Sequence, residues 1–162
     1  MSKYLEIIKI NISFLVIVTC YIGYYLGLRY EGYNMVEFDN WIIFFYLVLG
    51  SFVSASGASI LNQYIEIEYD RKMDRTKNRP LPSKTIDKNY ALFFGCLFWV
   101  AGPSILLFKI NFITALISFL TVFIYVCIYT PLKRYSSLNT IVGAIPGALP
   151  PLGGWVAATN EI

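Results

Sequence analysis

Asn62, Glu66, Asp70 and Asp74 recur at four-residue spacing within the segment LNQYIEIEYDRKMDRTKNRPLP, Leu61 to Pro82. On a helix advancing about 100° per residue, that spacing keeps the four side chains on one slowly drifting face. Carboxylates four apart repel by about 0.2–0.5 kcal/mol per pair, so such a stripe needs a compensating cation. A hard divalent ion such as Mg²⁺ suits it: these ions take oxygen ligands, keep several waters and are shared between carboxylates and substrate phosphates. Glu68 points to the opposite face, where Lys72 is placed to pair with it. Arg71, Arg75, Lys77 and Arg79 follow, then Pro80 and Pro82, which are expected to end the helix and turn the basic side chains back toward its end. Cations beside a metal-binding stripe make an anion clamp, and the planar fork of arginine fits phosphate. A cytoplasmic loop whose acidic residues serve solubility is the alternative reading of the spacing.

The elements that must carry this segment are apolar. Of the 162 residues, 57% are hydrophobic and only 14% charged, and a mean hydropathy of +0.58 places the chain in lipid. Apolar runs fall at about Ile7–Leu28, Trp41–Tyr64, Tyr90–Phe108, Phe112–Thr130 and Ile141–Ala158, each near the roughly 20 residues that cross a bilayer. The expected fold is all-α, a polytopic bundle of five transmembrane helices. Lys9 interrupts the first run and no small-residue cleavage site follows, so that run reads as an uncleaved transmembrane helix. Eleven cations (Lys3, Lys9, seven from Arg71 to Lys88, Lys133 and Arg134) fall on one side, against Arg29 and Lys109 on the other. The positive-inside bias puts the N-terminus, the 66–89 segment and the Lys133 loop in the cytoplasm, with Glu31, Glu37 and Asp39 outside.

A net charge of +3 gives no case for nucleic acid, and the lack of histidine excludes imidazole ligation or base catalysis by this segment. Cys20, Cys96 and Cys127 sit in separate apolar runs and read as buried thiols. Gly50, Ser51, Ser54, Ala55, Ser56, Gly57, Ala58 and Ser59 give the second run a surface that lets helix backbones approach closely. The fifth run, with Pro146, Pro150, Pro151 and several glycines, is expected to be kinked and buried against neighbours that satisfy the freed backbone groups.

Three blocks, YLEIIKINISFLVIVTCYIGYYLG, SASGASILNQYIEIEYDRKMDRTKNRPLP and YTPLKRYSSLNTIVGAIPGALPPLGGWVAAT, resemble the UbiA-type intramembrane prenyltransferases, and within them the branch that farnesylates haem. The family's first aspartate-rich motif, Asn-x-x-x-Asp-x-x-x-Asp, matches Asn62, Glu66 and Asp70, with glutamate replacing one aspartate, and Asp74 falls where the acidic series continues. Tyr129 and Lys133 match a Tyr-x-x-x-Lys motif that the family uses against diphosphate; by themselves they read as a belt residue and an inside anchor. The opening helix departs from the usual Lys-Pro-Arg, with Lys9, Ile10 and Asn11 in its place.

The resemblance implies five helices of a nine-helix fold, about its N-terminal half, in the inner (plasma) membrane. It implies Mg²⁺ on Asn62, Glu66 and Asp70, with Asp74 in the catalytic set and Arg71, Arg75, Arg79, Tyr129 and Lys133 on the diphosphate. Farnesyl diphosphate is then the donor and haem b the acceptor, giving haem O and diphosphate. The alternatives are a polyprenyltransferase with an aromatic acceptor such as 4-hydroxybenzoate, an inactive membrane fragment or scaffold, and a phosphate or ion transporter.

Overall fold

A computed structural model describes residues 3–35 and 37–161. The short α1 (Lys3–Ile7) leads into α2 (Ile10–Tyr30), α3 (Phe38–Asp70), α4 (Lys88–Lys109) and α5 (Phe112–Phe123). From α5 the chain continues through a π-helical turn, Ile124–Tyr129, into the short α6 (Thr130–Leu132), and α7 (Asn139–Thr159) follows. Five stretches are long and apolar enough to cross a membrane: Ile10–Tyr30, Asp39–Asp70, Lys88–Lys109, Phe112–Leu132 and Asn139–Thr159. The chain is a multi-pass, all-helical membrane protein, and no strand occurs among the described residues.

The helices close into a ring. α3 packs on α4, α4 on α5, α5 on α7, α7 on α2, and α2 returns to α3. In lipid, with no hydrophobic drive between helices, small residues permit this by letting backbones touch. Gly50 faces Leu106, Gly57 meets the α4 backbone around Gly95 and Trp99, and Gly102 lies against Ser54. Across the other seam Gly23 abuts the Pro151 carbonyl and Gly154 the Cys20 carbonyl. Polar contacts fix the register: the Asn111 side chain caps α5 at Thr114 N (2.7 Å) and donates to Val156 O of α7 (3.1 Å). The Ser54 and Ser118 hydroxyls share a hydrogen bond of 2.8 Å.

Four sequence expectations change. α3 continues past Tyr64 to Asp70, carrying Glu66 and Asp70 on the same helix as Asn62, and it ends well before Pro80. The Thr76 hydroxyl donates to the Asp70 carbonyl at 3.0 Å, and successive turns close on Met73 and Thr76 in place of further helical bonds. Pro80 instead lends its carbonyl to Thr85 and Ile86 in a compact loop. α7, expected to be buried along its length, is buried chiefly in its second half (Pro150, Gly153, Gly154, Val156, Ala157), while Ile141 and Ile145 are exposed; its three prolines lie within one helix. Of the cysteines only Cys20 is buried; Cys96 and Cys127 are exposed, because their helices turn them away from the ring.

Candidate active site

The end of the ring that gathers the C-terminus of α3 also gathers the α1–α2 junction, α6 and the loop after α3. Asn62, Glu66 and Asp70 form the floor there, 1%, 9% and 4% exposed. Each accepts from a different cation. Lys9 Nζ donates to Asn62 Oδ1 at 3.0 Å, Lys133 Nζ lies 2.5 Å from Glu66 Oε1, and Arg79 Nη1 lies 2.8 Å from Asp70 Oδ2. The three cations come from three parts of the chain, so the site exists only when α1–α2, the post-α3 loop and α6 are docked on α3.

Local structure places each of them. Asn62 also donates to Thr130 Oγ1 (3.0 Å), and that hydroxyl donates to Tyr125 O (2.8 Å), a carbonyl within the π turn. The π turn stacks Tyr125 on Tyr129 with ring centres 5.4 Å apart, and Lys133 Nζ sits 5.6 Å from the centre of the Tyr129 ring. Gly143 of α7 faces that ring, leaving it room. Thr76 and Arg79 hold the carbonyl and carboxylate of Asp70 together, so the loop is folded onto the helix end that it follows. Arg134 ties the next loop to α3 through Ile65 O (2.9 Å) and the face of Tyr69. Burial lowers the Lys9 ammonium to about 8, with Arg79 and Lys133 acting in the same direction and Glu66 and Asp70 opposing them.

The structure brings together Asn62, Glu66, Asp70, Arg79, Tyr129 and Lys133. It does not bring in Asp74, Arg71 or Arg75. Because α3 stops at Asp70, Asp74 leaves the stripe; its side chain is 98% exposed and pairs with Lys77 at 2.7 Å. Arg71 reaches back to Glu68 (2.8 Å), so Glu68 has an exposed partner, but it is Arg71 at i+3 and not Lys72. Arg75 is exposed, and no ion pair of it occurs among the described residues. Sequence reasoning missed Lys9, Thr76 and Thr130 as members of the site. Lys9 carried a signal, being a lone cation inside an apolar run, whereas the two threonines carried none.

The donor set suits a hard divalent ion in chemistry: an amide oxygen and two buried carboxylates, all already aimed at positive charge. Its spacing limits how. Successive members are about 6 Å apart along the axis and the outer two about 12 Å, whereas a magnesium ion holds its ligands at about 2.0–2.1 Å. Neighbouring pairs can therefore share an ion with water and phosphate, while one ion cannot touch all three. Among the described residues no three carboxylates or thiols converge on a point.

Inside the ring lies a cavity of about 300 Å³, lined mainly by apolar side chains. Tyr125, Ser59 and Ile12 stand at its end nearest Asn62, and Leu47, Leu106 and Thr114 at the far end. An apolar slot thus begins one helical turn from a cluster of cations and oxygen ligands. That juxtaposition suits an amphiphile with an anionic head and a hydrocarbon tail.

Residues 14–162 match the model of the UbiA prenyltransferase family. The chain is 38% identical over 160 residues to protoheme IX farnesyltransferase of Flavobacterium psychrophilum, covering 99% of this chain and 51% of that protein. It is 38% identical over 154 residues to the mitochondrial protoheme IX farnesyltransferase of Homo sapiens, covering 95% of this chain and 33% of that one. A solved structure described as "Structural and mechanistic insights into the biosynthesis of Digeranylgeranylglyceryl phosphate synthase in membranes" aligns over 96% of this chain and 52% of its own, with a TM-score of 0.77 at 25% identity. The chain spans about half the length of the bacterial relatives that it matches. With the ring, the cation-held oxygen ligands and the adjoining slot in place, these matches settle the kinship: the chain belongs to the UbiA prenyltransferase family.

Proposed function

We propose that this chain forms the donor side of a farnesyl transfer from farnesyl diphosphate to a vinyl group of haem b, giving haem O and diphosphate. The observation that carries the reading is the pairing of Asn62, Glu66 and Asp70 with Lys9, Lys133 and Arg79 about one helical turn from Ser59 of the apolar cavity. The name protoheme IX farnesyltransferase, borne by relatives 38% identical along nearly the whole chain, supports farnesyl and haem as the two substrates.

In this reading the tail lies in the cavity and the diphosphate faces Arg79, Lys133 and Tyr129. The cations stabilise the charge that gathers on the leaving diphosphate as its bond to the allylic carbon breaks. Mg²⁺ held by Asn62, Glu66 and Asp70, taken in adjoining pairs, would add charge neutralisation of the phosphate oxygens. Tyr125 and Tyr129 present ring faces where the allylic carbon becomes cationic, and buried aromatic faces attract such charge. The vinyl π pair then forms the new carbon–carbon bond, and water quenches the cation left on the haem substituent with release of a proton. None of these steps asks for a protein nucleophile. The basic end of the ring faces the cytoplasm of the inner (plasma) membrane, as the excess of Lys and Arg there favours.

The test is reconstitution in lipid with farnesyl diphosphate, haem b and Mg²⁺, followed by mass analysis of the haem. A farnesylated, hydrated haem is expected. Transfer to 4-hydroxybenzoate in preference to haem would replace the acceptor, and loss of neither donor binding nor turnover in Asp70→Asn would remove the site.

A further inference from the structure

Lys9 sits where α1 ends and α2 begins, in a left-handed conformation (φ 49°, ψ 59°) that non-glycine residues seldom adopt. The break is built. Gln63 Nε2 donates to Ile7 O at 2.6 Å, Ser13 Oγ donates to Ile8 O at 3.1 Å, and the amides of Ile12 and Ser13 take up Lys9 O. The carbonyls that an unbroken helix would have satisfied are thus given side-chain partners. Strained backbone that its surroundings stabilise in this way concentrates at functional sites.

The charges around it do not balance pairwise. Glu66 is taken by Lys133 and Asp70 by Arg79. Among the described residues Lys9 has no carboxylate within ion-pair distance, and its partner is the neutral amide oxygen of Asn62. Lys9, Arg79 and Lys133, each half-buried, against the buried Glu66 and Asp70 leave one positive charge in excess in the cluster. Even a half-buried ammonium loses hydration that a neutral acceptor only partly replaces, and an anion would compensate it better.

We propose that Lys9 is an anion-receiving residue of this site, whose ammonium, held on the Asn62 amide oxygen here, engages the diphosphate of the prenyl donor. The inference rests on the donor site proposed above and adds to it a cation from outside the motifs of α3 and α6. It also explains why the amide oxygen can serve a metal: the ammonium that now occupies it has a better partner once phosphate arrives.

The test uses Lys9→Gln, which keeps a donor for Asn62 without the charge, with Lys9→Arg and Ser13→Ala beside it, in the membrane-reconstituted protein. Calorimetric binding of inorganic diphosphate, the KM values for farnesyl diphosphate and haem, and the melting temperature are read. In Lys9→Gln, diphosphate affinity is expected to fall about 10- to 100-fold and the donor KM to rise in step, as for loss of one charged hydrogen bond. The haem KM and melting temperature are expected to stay put. Lys9→Arg should recover most of the affinity, and Ser13→Ala should lower the melting temperature alone. Unchanged diphosphate affinity in a folded Lys9→Gln overturns the proposal, as does a rise in the haem KM in its place. If Lys9→Gln does not fold, acetylation of Lys9 in the unaltered protein decides: an ammonium engaged by the anion is shielded by inorganic diphosphate, and equal labelling with and without diphosphate overturns the proposal. Inorganic diphosphate bound through Lys9 by a protein that never turns over farnesyl diphosphate would instead refute the proposed reaction and leave this residue's role standing.

Discussion

Lys133 of the α6–α7 connection and Glu66 of α3 meet at 2.5 Å, with the Lys133 ammonium also over the ring of Tyr129. One contact therefore joins the two sequence motifs that flank the cavity. The π turn makes the meeting possible: one wider turn, locked by Thr130 to Tyr125 O and Asn62, swings Tyr129 and Lys133 toward α3. π turns recur at functional sites for this kind of re-aiming.

Removing that charge should separate binding from folding. Lys133→Met leaves Glu66 without its ion-pair partner, so some stability is lost, on the order of 1–3 kcal/mol for a group this buried. The larger effect is expected on transfer, with kcat/KM for the donor down about 10²-fold or more, since in the proposed reaction this residue faces the departing phosphate. Glu66→Gln in the same background should cost much less than it does alone, because the two residues act as a unit. Steady-state kinetics on the two single variants and the double variant measure this coupling; simple additivity would show that the contact has no role in the reaction.

Asp70 and Glu68 offer a contrast two residues apart on α3. Asp70 is buried on Arg79, and Asp70→Asn should reduce turnover about 10²-fold or more and raise the Mg²⁺ concentration needed for half-maximal rate. Glu68 pairs with Arg71 in the open, where such pairs are worth about 0–1 kcal/mol, and Glu68→Gln should leave both turnover and melting temperature nearly unchanged. A magnesium titration of the two variants side by side checks this. Equal losses would mean that the buried face is not what matters.

What could be read from the sequence divides along physical lines. Five spans and the shared face of Asn62, Glu66 and Asp70 follow from hydropathy and a 3.6-residue period, both of which are local. Asp74 shares the same spacing yet leaves the face, because the helix ends on a hydrogen bond from Thr76 to Asp70 O that depends on how the following loop folds. The pairing of Glu68 with Arg71 depends on the same ending, since Arg71 is the helix cap. Lys9 could be seen as an anomaly in an apolar run, but its place beside Asn62 comes from a left-handed residue and from Gln63 on another helix. The closed ring is likewise a tertiary fact: small residues on α3 show that something packs closely there, not that α7 returns to α2.

That α2–α7 seam should be intolerant of a single methyl group. A Cβ on Gly23 would overlap the Pro151 carbonyl, and one on Gly154 the Cys20 carbonyl; both obstacles are backbone and cannot turn aside. Gly23→Ala and Gly154→Ala should each lower stability by about 1–3 kcal/mol, the usual cost of overpacking. Gly147→Ala, with open space around its Cβ, is the control and should lose nothing. Thermal unfolding in one detergent compares the three; a loss in Gly147→Ala as large as in Gly23→Ala would point to lipid contact and not to the seam, since helix propensity favours alanine over glycine.

The far end of the cavity should set how long a tail the site accepts. Leu47 and Leu106 are each 1% exposed, line the cavity, and are anchored in the cluster with Cys20, Tyr24, Leu28, Ala115 and Ala157. Asn62 lies about 22 Å along α3 from Leu47, by the rise of a helix, so these leucines stand at the opposite end of the ring from the charged cluster. Leu106→Ala opens the floor at a cost of about 2–5 kcal/mol in stability and gives a longer hydrocarbon somewhere to go. In competition between farnesyl and geranylgeranyl diphosphates the variant should shift toward the longer donor by about tenfold, the worth of one or two buried methylenes. Leu47→Ala should shift it the same way, whereas Leu107→Ala, on an exposed face of α4, should not. A stability loss in Leu106→Ala with no change in donor preference would mean that the tail ends short of this floor or leaves the ring by another side.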